Sequence, residues 1–377
     1  MSLRMCTVVS SFKPPWRTPC LAHVHFLVFP AGSGRCPPDA LPCWTTVQGT
    51  VIGLSVPVAM RRACLWTLVK CLSVSGLLVL SAHIFTVRRK DPATPSPLPA
   101  AEYRLLSPDT YGYTLTPAAG FRDTPPFLLL LVPVSPGEAA ARDAVRQTWG
   151  APGRDSRALF FVGLPEGGRG SGVQAQLEEE SRTHADIVQM DFQDSYQNLT
   201  IKTLMMMSWL ASRCPNASYA MKVDADIFVN VFLLLRRLRS SPQRGFISGS
   251  VISDGRPRRD SSSKWSVSEE LYPADSFPPY LSGAGYVFSA DMAARISWAS
   301  RFVRMLPLED VYVGLCLRVL AVRPVYSRSL LPPRNLFEIQ HLDYDRCTFA
   351  KLVIVNGFTP SQLLHMWQDF SSGHSSC

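Results

Sequence analysis

Segments of strand length alternate with segments of helical character between residues 127 and 223, and this alternation constrains the fold more than any other sequence feature. The strand-like segments are mostly apolar and cover 127–132, 158–163 and 186–190, while the helical segments cover 139–149, 173–184 and 199–212. Apolar runs of this length are typical of strands that are buried on both faces. Strands that alternate with helices predict an α/β fold with a mainly parallel sheet flanked by helices.

Asp224 and Asp226 follow the next strand-like segment and are separated by one residue, Ala225. By itself such a pair is more often a solvated turn than a binding site. Its position favours a site, because ligands of open α/β sheets bind beyond the carboxyl ends of the strands. Two carboxylates that face one way there suit a hard divalent cation, which in turn bridges phosphate oxygens. The pair therefore predicts chemistry on a diphosphate-linked donor.

Three basic residues are candidate contacts for the anionic part of such a donor. Arg142 and Arg146 are four residues apart on a predicted helix, so they share one face and can hold an anion or a buried carboxylate. An exposed basic face is the simpler alternative for this pair. Lys202 follows on a later helix and can approach donor phosphates, with a solvated lysine as the alternative.

Two further segments carry candidate site residues. Gly283 and Gly285 precede a predicted strand and permit either a close backbone approach to a ligand or a plain tight bend. Glu309 and Asp310 are adjacent acids in the predicted first turn of an apolar helix. Compensation of the helix dipole explains one acid at that position, and the second is available for proton abstraction.

The net positive charge of the chain comes entirely from its N-terminal part. Of the 38 basic and 29 acidic residues, ten and one lie within 1–90, which leaves 28 of each for residues 91–377. A balanced main body argues against a broad nucleic-acid footprint.

The first 126 residues predict a membrane-anchored arrangement. Residues 63–87 are long enough to span a bilayer and contain one charge, Lys70, and basic clusters flank them at 61–62 and 88–90. We predict a short cytoplasmic tail and transmembrane signal anchor over 60–90, with a buried core helix as the disfavoured alternative. The Pro-rich residues 91–126 predict a stem, and 127–377 remain for the folded domain. We expect residues 1–59 to be an unstructured extension or a gene-model artefact.

Four of the ten cysteines lie in the folded domain, namely Cys214, Cys316, Cys347 and Cys377. None has the spacing of a zinc site. They are either buried thiols or, in an exported domain, members of two disulfides with three possible pairings.

Six segments of the chain occur in this order: RDAVRQTWG (142–150), DFQDSYQNLTIKT (191–203), YAMKVDADIFVN (219–230), SKW (263–265), FPPYLSGAGYVFSA (277–290) and LPLEDVYVG (306–314). Together they resemble the β1,3-galactosyltransferase/β1,3-N-acetylglucosaminyltransferase family of Golgi enzymes, over roughly residue 126 to the C-terminus. The resemblance implies a type II Golgi membrane protein with a lumenal catalytic domain of GT-A-like α/β fold. It also makes disulfides expected for the four distal cysteines.

The resemblance further implies a nucleotide-sugar donor, a glycan acceptor and Mn²⁺. It makes Asp226 the principal metal ligand, gives Asp224 a part in metal or nucleotide binding and makes His341 a candidate ligand. Asp310 becomes the general base that deprotonates the acceptor hydroxyl, and Glu309 orients the site. Arg142, Arg146, Lys202, Gly283 and Gly285 are our candidate donor contacts.

Within the family, SGAGYVFSAD (282–291) and EDVYVGLCLR (309–318) are more similar to the galactose-transferring branch. FPPYLSGAGYV (277–287), LPLEDVYVG (306–314) and the spacing from His341 to Cys347 are similar to the branch acting on gangliosides. This implies β1,3 transfer from UDP-galactose to a terminal N-acetylgalactosamine or N-acetylglucosamine. N-acetylglucosamine transfer by the same fold is the alternative, and a silent lumenal glycan-binding protein is a further one. The oligomeric state is left open.

Overall fold

The computed structural model describes residues 66–67, 69–79, 81, 98–99, 110–117, 125–326 and 342–377, in two units that cover 1–82 and 83–377. In the first unit, residues 66–67, 69–79 and 81 are helical and exposed. None of the helices within the described ranges combines the length and apolarity needed to cross a bilayer. The predicted extension over 1–59 lies outside the described residues.

The second unit contains a large mixed sheet and a small antiparallel one. Its described strands are β1 Tyr113–Leu115, β2 Leu128–Pro133, β3 Ser156–Leu164, β4 Ile187–Gln193, β5 Tyr219–Val223, β6 Ile227–Val229, β7 Ile247–Ile252, β8 Tyr280–Ser289, β9 Val325–Tyr326 and β10 Ile354–Asn356. Eight of them form one sheet in the order β1-β4-β3-β2-β5-β8-β7-β9, and β6 pairs with β10.

Helices connect the strands and cover the sheet. They are α1 Ala139–Gln147, α2 Gly172–His184, α3 Leu199–Arg213, α4 Val231–Leu238, α5 Asp291–Ala299, α6 Glu309–Val319, α7 Arg346–Phe349 and α8 Pro360–Gly373. The segments predicted over 139–149, 173–184 and 199–212 correspond to α1, α2 and α3, which confirms the alternation.

The central strand β2 explains why the sheet is covered on both sides. All six of its residues are buried, and it pairs in parallel with β3 and β5. Because successive side chains point to opposite faces, Leu129 and Leu131 pack into one core cluster while Leu128 and Leu130 pack into the other. The uninterrupted apolar run is thus the sequence signature of two cores that share one strand.

The α/β class and the mainly parallel sheet are confirmed, although three of the seven pairings in the large sheet are antiparallel. Strand β8 causes most of this departure, because it runs antiparallel to both β5 and β7. It follows a long connection over 253–279 rather than a helical crossover, which frees its direction.

The cysteines correct one expectation. Cys347 and Cys377 form a disulfide that connects α7 to the C-terminus. Cys214 and Cys316 are buried thiols that are not joined to each other, so one of the two expected disulfides is absent from the described residues. Burial raises the pKa of both thiols, which keeps them protonated.

Candidate active site

The Asp224–Asp226 segment lies where the sequence predicts it, directly after the carboxyl end of β5. Strand β5 ends at Val223 and β6 begins at Ile227, so the two aspartates occupy the connecting turn. The Ile227 amide donates to the Asp224 carbonyl across 3.3 Å and closes this turn. Asp226 is exposed, and the side chain of Asp224 is 41% exposed. Both carboxylates are therefore accessible to a ligand.

A buried lysine lies beneath the aspartates. Lys222 Nζ is 2.7 Å from Asp224 Oδ1 and 3.1 Å from Glu309 Oε1, and it also donates to the Gly283 carbonyl. Burial alone lowers the pKa of Lys222, but the Asp224 and Glu309 carboxylates outweigh burial and raise it, so the ammonium stays charged. Lys222 thereby joins the turn after β5 to the first residue of α6.

Glu309 points into the core. Its Oε2 accepts hydrogen bonds from the Thr203 hydroxyl at 3.1 Å and the Tyr286 hydroxyl at 3.4 Å, while Oε1 faces Lys222. Burial raises the pKa of Glu309, and the Lys222 ammonium opposes that shift. Oε2 is thus held by hydrogen bonds and Oε1 by the charge of Lys222, so Glu309 connects α6 to β5, β8 and α3. The orienting role in catalysis stays a prediction.

Asp310 is half-buried and lines the same cavity as Glu309, but it makes no ion pair in the described part of the chain. Its Oδ1 accepts the amide of Val311 at 2.8 Å, a contact that fixes the carboxylate in the first turn of α6. Burial raises the pKa of Asp310, and the Val311 amide and the Lys222 charge only partly offset that rise. A raised pKa makes the ionised carboxylate a stronger base than an ordinary aspartate. The adjacent acids Glu309 and Asp310 therefore have different partners: side chains of the core contact Glu309, and the backbone contacts Asp310.

The cavity that Asp310 lines has a volume of about 770 Å³, and we refer to it as the base cavity. Asp224 and Asp226 border it from the turn after β5, and Gly283 borders it from β8. Glu309 and Asp310 border it from α6. Asn356 and Gly357 contribute to its wall from the C-terminal part of the chain. The long connection over 253–279 contributes five more residues: Arg256, Arg258, Lys264, Trp265 and Phe277.

A second cavity, of about 800 Å³, adjoins the carboxyl end of β2, and we refer to it as the strand-edge cavity. Residues 133–138 form one side of it, which is the position where open α/β sheets bind ligands. The two cavities share four residues: Tyr196, Leu199, Asp224 and Asp226. The aspartates thus lie on the boundary between two binding spaces, whereas Asp310 lines only one.

Arg142 and Arg146 are not brought to either cavity, so their predicted role as donor contacts is wrong. Arg142 is 1% exposed and forms a bidentate pair with Glu180 at 2.7 and 2.6 Å. Arg146 forms a bidentate pair with Asp186, with both contacts at 2.8 Å. The arginines therefore bind half-buried carboxylates of the chain itself, and they fix α1 against α2 and against the residue that precedes β4.

The three remaining candidate donor contacts lie in different places. Lys202 lines the strand-edge cavity, but its ammonium is held by Asp194 at 2.7 Å and by the Val134 carbonyl at 3.0 Å. Gly283 lines the base cavity, where a Cβ would lie 3.2 Å from Glu309 Oε1. Gly285 does not line the base cavity. A Cβ at Gly285 would lie 3.3 Å from Ile354 and from Met221, so the absence of a side chain there allows close packing.

A divalent cation fits the Asp224–Asp226 turn. Burial raises the pKa of Asp226 and the neighbouring charge of Asp224 raises it further, so a bound cation would relieve an unfavourable accumulation of negative charge. Asp226 and the Asp224 oxygen that does not face Lys222 are available to it. Among the described residues no cluster of three or more His, Cys, Asp or Glu is arranged for a metal, and His341 lies outside them. Two carboxylates with open positions suit a cation that also binds phosphate.

Sequence reasoning missed three residues that shape the site. Lys222 was detectable, because residues two apart on a strand share a face and Lys222 therefore points the same way as Asp224. Gly357 has φ 93°, which favours glycine, and the Asn356-Gly357 dipeptide is the turn signal that marks it. No local signal placed Tyr196 between the two cavities.

Comparisons with known proteins show the family of the chain. Residues 140–328 match the family model described as Galactosyltransferase. The chain is 39% identical over 277 residues to β-1,3-galactosyltransferase 2 of Mus musculus and of Homo sapiens, which covers 71% of this chain and 64% of theirs. It is 37% identical over 276 residues to β-1,3-galactosyltransferase 1 of Mus musculus, covering 71% and 81%. The chain belongs to the galactosyltransferase family.

Among solved structures, the galactosyltransferase LgtC in complex with donor and acceptor sugar analogues matches with a TM-score of 0.32 and 11% identity. That match covers 66% of this chain and 95% of the other. So low a score supports no conclusion about the site.

Replacing Lys222 with methionine tests the buried ion pair. We expect Lys222→Met to lower the free energy of unfolding by about 3 kcal/mol, because it leaves the buried Glu309 carboxylate without its cation. The double variant Lys222→Met/Glu309→Gln should recover part of that loss, since it removes both buried charges. Urea unfolding followed by tryptophan fluorescence measures all of these. Lys351→Met is the matched control, because Lys351 is exposed, and we expect it to change the free energy of unfolding by less than about 0.5 kcal/mol. Equal losses of stability in Lys222→Met and Lys351→Met would contradict a stabilising role of the ion pair between Lys222 and Glu309.

Proposed function

We propose that this protein is a β1,3-galactosyltransferase that transfers galactose from UDP-galactose, with inversion, to a hydroxyl of a terminal sugar. The observation that carries the proposal is that Asp226 and Asp310, from two distant segments, border one cavity. Asp226 faces the boundary with the strand-edge cavity, and Asp310 lies on the opposite element, α6. Membership of the galactosyltransferase family supports the donor class.

The reaction assigned to this geometry is a direct displacement. Asp310 accepts the proton of the acceptor hydroxyl, and the acceptor oxygen attacks C1 of galactose from the face opposite UDP. The bond between C1 and the diphosphate oxygen breaks, and its electron pair leaves with UDP. A single displacement inverts C1, so an α-linked donor gives a β-linked product. Glu309 and Lys222 hold the base and the Asp224 turn in fixed positions through their 3.1 Å contact.

The donor is assigned to the strand-edge cavity, with its diphosphate at the boundary formed by Asp224 and Asp226. We propose Mn²⁺ as the cation, held by Asp226 and Asp224, with His341 as a further candidate ligand. A divalent cation bound there supplies neutralisation of the charge that develops on the departing diphosphate.

The acceptor belongs to the base cavity. A terminal N-acetylgalactosamine or N-acetylglucosamine of a glycolipid or glycoprotein is the proposed acceptor, in keeping with the similarity to the ganglioside branch of the family. Transfer of N-acetylglucosamine is not favoured, because the similar proteins named above are galactosyltransferases. A panel of UDP-galactose and UDP-N-acetylglucosamine with both acceptors decides between these possibilities. A folded chain that turns over neither donor would favour a silent binding protein.

Asp310→Asn tests the assigned base and its pKa. Asparagine keeps the shape of aspartate and accepts no proton, so we expect kcat for galactose transfer to fall by about 10²–10⁴-fold while the Kd for UDP is unchanged. In the wild type, the raised pKa of Asp310 keeps the carboxyl protonated to higher pH than an ordinary aspartate. Transfer should therefore fall with decreasing pH at a midpoint above about 3.9.

The matched control for this experiment is Asp254→Asn, since Asp254 is exposed and does not line the base cavity. Its activity should remain that of the wild type. An Asp310→Asn enzyme that keeps a tenth or more of wild-type kcat would exclude Asp310 as the base.

Asp226→Asn tests the cation site without relying on turnover. We expect this variant to bind UDP at least about tenfold more weakly in the presence of Mn²⁺, because it loses the carboxylate that faces both cavities. Calorimetric titration with UDP, with and without Mn²⁺, measures the effect, and Asp254→Asn is again the control. Identical Mn²⁺-dependent affinities for wild type and Asp226→Asn would exclude Asp226 as a ligand.

We also propose that residues 60–90 anchor the chain in the Golgi membrane as a single-pass type II protein, with the catalytic domain in the lumen. The apolar length of 63–87 and the family resemblance support this proposal. Expressed in cells with a C-terminal tag, the chain should remain in the pellet after alkaline carbonate extraction, and the tag should be protected from added protease. A tag digested in intact vesicles would contradict the orientation.

A further inference from the structure

Asn216 lies on an exposed turn between α3 and β5 that the proposed mechanism does not use. The residues Asn216-Ala217-Ser218 form the sequence Asn-x-Ser, with x other than proline, which is an acceptor sequence for N-linked oligosaccharides. Two of the five asparagines of the chain begin such a sequence, Asn198 and Asn216. Because sequences this short recur by chance, the surrounding structure has to decide whether a glycan fits.

The turn that carries Asn216 is anchored at both ends and presents the asparagine to solvent. The Ala217 amide donates to the Cys214 carbonyl across 3.3 Å, which closes the turn. Pro215 and Asn216 occupy its two central positions, where proline and asparagine are favoured. Cys214 and Ala217 are buried, whereas Asn216 is exposed. The side chain of Asn216 is thus held outside the fold by its buried neighbours.

The other such sequence, Asn198-Leu199-Thr200, is engaged by the fold. The side chain of Asn198 is half-buried, and its Nδ2 donates to the Gln193 carbonyl at 2.8 Å. The hydroxyl of Thr200 is buried and donates to the Leu306 carbonyl at 2.6 Å. The inference is therefore drawn for Asn216 alone.

Both groups that the modification requires are available at Asn216-Ala217-Ser218. They are the asparagine amide and the hydroxyl two residues later. In the described ranges, no residue forms a hydrogen bond with the amide of Asn216 or with the hydroxyl of Ser218. The carbonyl of Ser218 accepts the Ala290 amide at 3.2 Å, a contact that leaves the hydroxyl unused. A glycan on Asn216 consequently displaces no hydrogen bond of the fold.

A glycan on Asn216 would lie at the end of the sheet opposite to the proposed active site. Asn216 precedes the first residue of β5, whereas the Asp224 turn follows its last residue. The five residues of β5 span about 17 Å. No residue from 203 to 221 lines the base cavity or the strand-edge cavity. The glycan therefore leaves both cavities open to substrates.

We propose that Asn216 is an N-glycosylation site of this protein. The inference rests on the lumenal orientation under the proposed function, because the oligosaccharide donor, a polyprenyl diphosphate, is used on the lumenal side of the endoplasmic reticulum membrane. The Asn216 amide nitrogen forms a bond to C1 of the oligosaccharide, and the bond between C1 and the diphosphate oxygen breaks. Its electron pair leaves with the diphosphate, and the amide releases one proton to solvent. The product is a neutral amide that bears a bulky, hydrophilic surface group.

Mass spectrometry of the full-length, C-terminally tagged chain from mammalian cells tests the inference. Peptide N-glycosidase in heavy-oxygen water converts a glycosylated asparagine to an oxygen-labelled aspartate, and we expect that label at residue 216. Asn216→Gln and Ser218→Ala should each lose the glycan at this position, because the first removes the nitrogen and the second the hydroxyl. Ser218→Thr keeps the hydroxyl and should keep the glycan. Ser240→Ala is the matched control, since Ser240 is an exposed serine outside both acceptor sequences.

The kinetics of galactose transfer test the position of the glycan. Because the surrounding residues line neither cavity, Asn216→Gln should keep kcat and KM within about twofold of the glycosylated wild type. A larger change in KM for UDP-galactose or for the acceptor would contradict a glycan that leaves the cavities open.

The glycan is detected by mass, so the result does not depend on whether galactose transfer is observed. An unmodified Asn216 in a chain whose tag is protected from protease would overturn the inference and leave the lumenal orientation intact. A tag digested in intact vesicles would overturn the orientation and the inference together. A glycan that persists at residue 216 in Ser218→Ala would exclude Ser218 as part of the acceptor sequence.

Discussion

The buried ammonium of Lys222 is the contact on which the arrangement of the site depends. It lies at the end of a central strand and meets a carboxylate of the turn that follows, Asp224, and the first carboxylate of α6, Glu309. A lone buried lysine would lose its proton, and a lone buried glutamate would gain one. Together the two charges stabilise each other, and they fix the distance between the Asp224 turn and the helix that carries Asp310. One ion pair thus holds together the two elements that carry the proposed cation ligands and the proposed base.

Two adjacent acids of the site have different properties. Glu309 and Asp310 share the first turn of one helix, yet Glu309 contacts the side chains of Lys222, Thr203 and Tyr286, whereas the hydrogen bonds to Asp310 come from the backbone. A single aspartate could not both hold the lysine and remain open to a substrate. In the proposed mechanism the acidic pair therefore consists of one structural group, Glu309, and one chemical group, Asp310.

Much of the fold followed from the sequence because it depends on local periodicity. The apolar run of β2 and the helical segments after it are read from neighbouring residues, and the position of Asp224 and Asp226 at a strand end follows from them. The arginines show where such reasoning ends. The spacing of Arg142 and Arg146 indicates a shared face and an anion, but only the fold shows that the anion is Glu180 and Asp186. Likewise, the antiparallel direction of β8 in the sheet and the position of Gly357 at the base cavity depend on contacts between segments far apart in the chain.

The pairing of β6 with β10 makes the turn that bears the aspartates depend on a distant part of the chain. The amide of Phe358 donates to the carbonyl of Asp226, and Asn356 and Gly357 form part of the wall of the base cavity. The disulfide between Cys347 and Cys377 lies in the same C-terminal region and ties α7 to the end of α8 and the residues after it. Loosening of that region would therefore disturb the aspartate turn, although no cysteine lines either cavity among the described residues.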